Sequence, residues 1–181
     1  LGPIPHQAER TRDQLPQSGS GRTIMTTEPK FVPDEPVELV LEDHLRFHLR
    51  LVDCVGYTVP GAMGYVDESG PRMVRTPWFD EEITFQQAAE IGTRKVIEEH
   101  STLGLVVVTD GSITDLPREN YLAAEEQVIS ELRELGKPFM VLLNSRYPKA
   151  EATQELASEL EEKYQVTVVP VDCLNLTEED L

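Results

Sequence analysis

Leu103-Gly104-Leu105-Val106-Val107-Val108 is an unbroken apolar run, and its reading decides the fold. A short continuous run of this kind is expected of a strand buried on both faces of a parallel sheet. Two more follow, Phe139–Leu143 and Val166–Val171, and helical patterns lie between the three. From about Pro117 to Leu135, Tyr121, Ala124, Val128, Leu132 and Leu135 fall on one stripe, and Gly136 and Pro138 stop it. Glu151–Tyr164 puts Leu156, Leu160 and Tyr164 on one face and acids elsewhere. Upstream, Thr84 with Gln87 three residues on makes a capping box for a further helix, whose buried side is Phe85, Ala88, Ala89, Val96 and Ile97. Strands alternating with helices predict an α/β fold: a mainly parallel sheet with helices on both faces and right-handed crossovers.

The first half of the chain reads differently. Residues 1–22 are rich in Pro, Gln, Ser and Gly without apolar period and are expected to be a flexible N-terminal segment ahead of one domain over 23–181. Pro29, Pro33 and Pro36 block helix, so the stretch up to Pro36 is expected to be loop. Val37–Leu41 and Leu45–Val52 are two strands of an antiparallel hairpin turning at Glu42-Asp43-His44. Residues 60–78 hold three prolines and three glycines and read as a long loop, with Trp78 as an anchor pinning it.

At 181 residues the chain can bury a core, and its formal charge of −17 disfavours nucleic acid and anionic lipid as partners. No apolar run approaches the roughly 18 residues of a membrane span. Cys54 and Cys173 lie far apart without C-x-x-C spacing, which gives neither a disulfide framework nor a zinc site and fits a reducing compartment. His6, His44, His48 and His100 lack ligand spacing, and Arg72, Arg75 and Arg94 read as surface charges in preference to a phosphate-facing arginine.

The second hairpin strand runs into Asp53-Cys54-Val55-Gly56. A strand ending in D-x-x-G is the magnesium and γ-phosphate sensor of GTPase-like P-loop NTPases. In that role the Asp53 carboxylate holds a nucleotide-bound magnesium through water, and Gly56 brings its backbone N–H to the γ-phosphate. The bland alternative is an Asp capping a strand-to-loop turn. Thr26 or Thr27, before the hairpin, could supply a magnesium-ligating, nucleotide-sensing hydroxyl; a threonine pair is also ordinary loop content. After the Phe139–Leu143 strand, where GTPases carry N-K-x-D, stands Asn144-Ser145-Arg146-Tyr147. The Asn is kept while the guanine-reading Asp is missing, so ATP is the better nucleotide. Asp172-Cys173-Leu174 sits where a last base-contacting loop belongs. No G-x-x-x-x-G-K-[ST] loop precedes Asp53: the glycines before Gly56 are Gly2, Gly19 and Gly21, and Gly21 is followed by Arg22-Thr23. Residue 1 is Leu, and Thr177-Glu178-Glu179-Asp180-Leu181 has the start of a helix. The expectation is a P-loop NTPase domain truncated at both ends. A signalling receiver, with Asp53 as phospho-acceptor, would need an acidic pair and a strand-end Lys that the chain does not offer.

Several longer strings narrow the field. Thr23-Ile24-Met25-Thr26-Thr27-Glu28-Pro29-Lys30-Phe31, Leu51-Val52-Asp53-Cys54-Val55-Gly56-Tyr57, Gly70-Pro71-Arg72-Met73-Val74, Thr76-Pro77-Trp78, 89–97, Glu99-His100-Ser101-Thr102 and Thr109-Asp110-Gly111 together resemble the bacterial stage IV sporulation protein A family. The resemblance runs from about Leu15 to the C-terminus. It implies a spore coat morphogenetic ATPase of the translation-factor class, working in the mother-cell cytoplasm at the outer forespore membrane. It also implies ATP and Mg2+ as cofactors, and ATP-driven self-assembly into a homopolymer. The partners would be other copies of itself, spore coat proteins and a forespore membrane anchor protein. On this chain the resemblance makes Asp53 the Walker B acid and Thr26-Thr27 the nucleotide sensors, with Asp53 and Thr27 at the metal and Gly56 and Asn144 among the nucleotide contacts. The P-loop lysine and its Ser/Thr have no counterpart, which leaves a non-catalytic scaffold module as the competing reading.

Overall fold

The computed structural model describes residues 30–41, 45–62, 66–67, 70–76 and 79–176. Two units emerge: Leu1–Gly56 with Met63–His100, and Tyr57–Ala62 with Ser101–Leu181.

In the first unit, β1 (Lys30–Leu41) and β2 (Leu45–Asp53) form the expected antiparallel hairpin, from Leu41 opposite Leu45 to Lys30 opposite Asp53. The strand β1 begins well before Val37, which corrects the loop expected there. The register shifts between Val32 and Val37, where Pro33 and Pro36 fall. Proline forbids helix but is admitted to a strand at an irregularity, where its missing N–H costs no ladder bond. Arg50 lies over the Phe31 ring at 4.2 Å, and the His100 ring meets Phe31 edge-on at 5.8 Å. The stretch 60–78 is likewise more than loop. It holds β3 (Val66–Asp67) paired with β4 (Gly70–Pro71), and β5 (Met73–Thr76), which pairs with β6 (Phe79–Thr84). Trp78 lies outside the described residues. The helix α1 (Phe85–Lys95) starts on the predicted capping box: the Thr84 hydroxyl accepts from the Gln87 amide at 3.2 Å, and Gln87 Oε1 accepts from the Thr84 amide at 3.2 Å. Phe85, Ala88, Ala89, Val96 and Ile97 are buried, as their spacing predicts.

The second unit is the parallel part: β7 (Gly104–Thr109), α2 (Leu122–Glu134), β8 (Phe139–Asn144), α3 (Glu151–Tyr164) and β9 (Val168–Val171), in the order β7-β8-β9. The molecule is thus a mixed α/β protein with a parallel three-stranded sheet flanked by helices, the class the sequence predicts. Val141 and Leu143 of β8 are fully buried, and Ile129, Leu132, Ala157, Leu160 and Tyr164 close the helix layer. Gly104 permits that closure, because a Cβ there would stand 2.9 Å from the Leu132 side chain. In β7 Val106, Val108 and the terminal Thr109 are buried, whereas Leu105 is 48% and Val107 56% exposed. The burial on both faces expected of this run therefore holds for one face. β7 is the end strand of its sheet. Among the described residues no helix is long and apolar enough to cross a membrane.

Candidate functional site

The strand β2 ends on Asp53, whose side is exposed, and Cys54-Val55 carry the chain to Gly56. Gly56 has φ +76°, while a Cβ there would meet nothing within 4 Å. Glycine is therefore required by the backbone angle and not by space. The Gly56 N–H donates to Thr93 Oγ1 at 3.0 Å, and the Thr93 hydroxyl donates to the Gly56 carbonyl at 3.2 Å. Thr93, from α1, is 2% exposed. The amide expected to face a γ-phosphate is thus held by a side chain that sequence reading missed. Its signal was a threonine on the stripe of Ala89 and Val96, four residues after one and three before the other, where an apolar residue would be expected. Desolvation pushes the Cys54 thiol up, opposed by the Gly56 amide and the Thr93 hydroxyl. The residue is exposed overall, so that push carries no functional role. An exposed carboxylate at a strand end suits a hard, oxygen-seeking cation such as magnesium, which takes few protein ligands. Among the described residues no group of three or more His, Cys, Asp or Glu could hold a metal by itself. Thr26 and Thr27 lie outside the described residues.

The carboxyl ends of β7, β8 and β9, where ligands of parallel α/β sheets sit, are braced by side chains. Asn144 ends β8, and its Oδ1 accepts from the Cys173 amide at 3.0 Å, tying the loop after β9 to that after β8. Asp110, just past β7, receives the Ser145 hydroxyl at 2.6 Å, the Ser112 hydroxyl at 2.6 Å and the Ser112 amide at 2.9 Å. Ser145 is completely buried and also accepts from the Tyr147 amide at 2.9 Å. Desolvation pushes the Asp110 carboxyl up, but the hydrogen bonds from Ser112 and Ser145 outweigh it and hold the group below its ordinary value. Asp172 is held low as well, chiefly by the Asn175 side chain, which donates to it at 2.8 Å. Sequence reading gave Asn144 and Asp172-Cys173-Leu174 their places but assigned nothing to Asp110, Ser112 or Ser145. Arg75 and Arg94 are surface charges as read, paired with Glu82 at 3.2 Å and Glu98 at 2.9 Å.

Residues 4–181 match the family model for stage IV sporulation protein A, ATPase domain. The chain belongs to that family. It is 54% identical over 173 residues to stage IV sporulation protein A of Bacillus anthracis, and 55% identical over 173 residues to that of Clostridioides difficile (strain 630). The Bacillus subtilis (strain 168) protein is 53% identical over 180 residues. These alignments cover 96–98% of the chain but only 35–37% of each relative, so the chain spans little more than a third of their length. No solved structure matches it significantly. The resemblance carried by the D-x-x-G and Thr-rich strings is borne out, and a sporulation protein with an ATPase domain places the chain in a nucleoside-triphosphate hydrolase family.

Proposed function

We propose that this chain carries the magnesium-holding and γ-phosphate-sensing part of an ATPase whose hydrolysis drives polymerisation into the basement layer of the spore coat. The observation that carries the reading is Asp53, exposed at the end of β2 three residues before a positive-φ glycine, within a match to an ATPase domain. Asp53 holds the magnesium through water, and Thr26 and Thr27 sense the nucleotide. Asn144 stands at the base end, where the missing guanine-reading Asp favours ATP. Bound magnesium supplies charge neutralisation for the phosphates; the chain's own residues position it. The partners are further copies of the protein, spore coat proteins and a forespore membrane anchor, met in the mother-cell cytoplasm at the forespore surface.

A scaffold without catalysis is the second reading. It is favoured by the Thr93 hold on the Gly56 amide. Phosphoryl transfer rests on an amide cradle and a lysine, so the 181 residues alone are expected neither to bind ATP tightly nor to hydrolyse it. Phosphate release from ATP, measured for the full-length protein, for its Asp53→Asn variant and for these residues alone, decides. Turnover in the full-length protein that Asp53→Asn abolishes supports the enzyme. No turnover in the full-length protein leaves the scaffold, and Asp53-dependent turnover by these residues alone would overturn the expected inactivity.

A further inference from the structure

We propose that Thr93 is a latch that competes with the γ-phosphate of ATP for the Gly56 amide, so that nucleotide sensing requires its release. The inference rests on the ATPase reading and names a positioning residue for that site.

One hydroxyl engages both peptide groups around Gly56. It accepts from the N–H on one side at 3.0 Å and donates to the carbonyl on the other at 3.2 Å. An N–H pointing into Thr93 cannot at the same time point at a phosphate oxygen. Thr93 is buried, so its hydroxyl has little water to turn to and its grip on Gly56 is not diluted by solvent. Conversely, Gly56 is free to change. The space around it is open, and glycine crosses between positive and negative φ without the penalty that a Cβ imposes. A rigid hydroxyl on a helix therefore faces a backbone hinge that only glycine provides. A ligand shifts such an equilibrium only by binding one state better than the other. ATP can reward the released amide through its γ-phosphate, whereas ADP has no group to offer it. The latch thus lowers the apparent affinity for ATP and leaves that for ADP alone.

The test is nucleotide binding by the full-length protein, read by calorimetry with ATPγS and ADP. Thr93→Val keeps the shape and removes the hydroxyl; Thr93→Ser keeps it. Thr93→Val is expected to tighten ATPγS binding about fivefold, the worth of roughly one net hydrogen bond, and to leave ADP unchanged. Thr93→Ser should behave as the wild type. A residue that merely holds the fold together would weaken both nucleotides alike, and that result, or no change in either, overturns the latch. Wild-type protein that binds neither nucleotide overturns the ATPase reading and the latch together; wild-type binding with an indifferent Thr93→Val overturns the latch alone. Should Thr93→Val not fold, 15N-glycine labelling of the wild type reports on the same amide. Its Gly56 resonance must move with ATPγS and stay in place with ADP, and a resonance indifferent to both removes the proposal.

Discussion

The hairpin β1–β2, whose strands mix apolar with charged residues, and the sheet β7–β9, whose strands are nearly continuous apolar runs, hold together by different means. No described position of β2 is buried, and Val40, Leu45 and Phe47 are 48%, 55% and 37% exposed. In β8, by contrast, Val141 and Leu143 are wholly buried. A two-stranded ribbon is stabilised mainly by its ladder and cross-strand pairs, which are individually weak. The parallel sheet has a packed core and, above it, polar networks that lock the strand ends. Asp53 and Gly56 therefore stand on the less consolidated element, while Asn144 stands on the more consolidated one.

The sharpest way to break the contrast is Arg118→Ala. Arg118 grips Glu125 with two bonds of 3.0 and 3.1 Å, and Tyr164 donates to the same carboxylate at 2.8 Å. The Glu125 side chain is only 2% exposed, so removing the guanidinium strands a buried charge at a cost of about 3–5 kcal/mol. Urea unfolding followed by circular dichroism measures this, and a loss below about 1 kcal/mol would mean that the network is not what consolidates the second unit.

Ser145→Ala comes next. It removes the hydroxyl that donates to Asp110 and accepts from Tyr147, at about 1–3 kcal/mol. It also carries a pH signature. The folded Asp110 carboxyl titrates below its ordinary value, so its contribution is complete above that value, about 3.9, and is lost as the pH falls through the lower folded one. Removing the Ser145 bond should shrink this acid-side loss, while the stability difference from the wild type is the same at pH 6 and 8. An acid limb indistinguishable from that of the wild type would take Ser145 out of the network.

The smallest effect is expected of Thr84→Ala in the first unit. It breaks the exposed capping box at the start of α1 for about 1 kcal/mol. Hydrogen exchange should show faster opening of α1 with β7–β9 unchanged; equal acceleration in both would show that the two regions open as one.

Local sequence signals carried the elements whose rules are themselves local. The Thr84–Gln87 box, the Gly136 stop and the three apolar runs each depend on neighbours within a few residues, and each is where the sequence puts it. The strand that begins at Lys30 and the short strands in 60–78 were missed because proline chemistry rules out helix but does not say whether an extended segment finds a partner. Asp53 and Asn144 were legible as candidates because strand ends followed by turn residues are readable in one dimension. Thr93 and Ser145 were not.

The sequence by itself determined the α/β class, the capped start of α1, the stop of α2 before Gly136 and the family, because periodicity, caps and long matching strings are written along the chain. Only the tertiary structure decided which face of β7 is covered, that Asp110, Ser112 and Ser145 share one network, and that Thr93 meets Gly56, 37 residues away. A hydroxyl's choice of partner depends on what burial leaves within about 3 Å of it, and no local pattern encodes that distance.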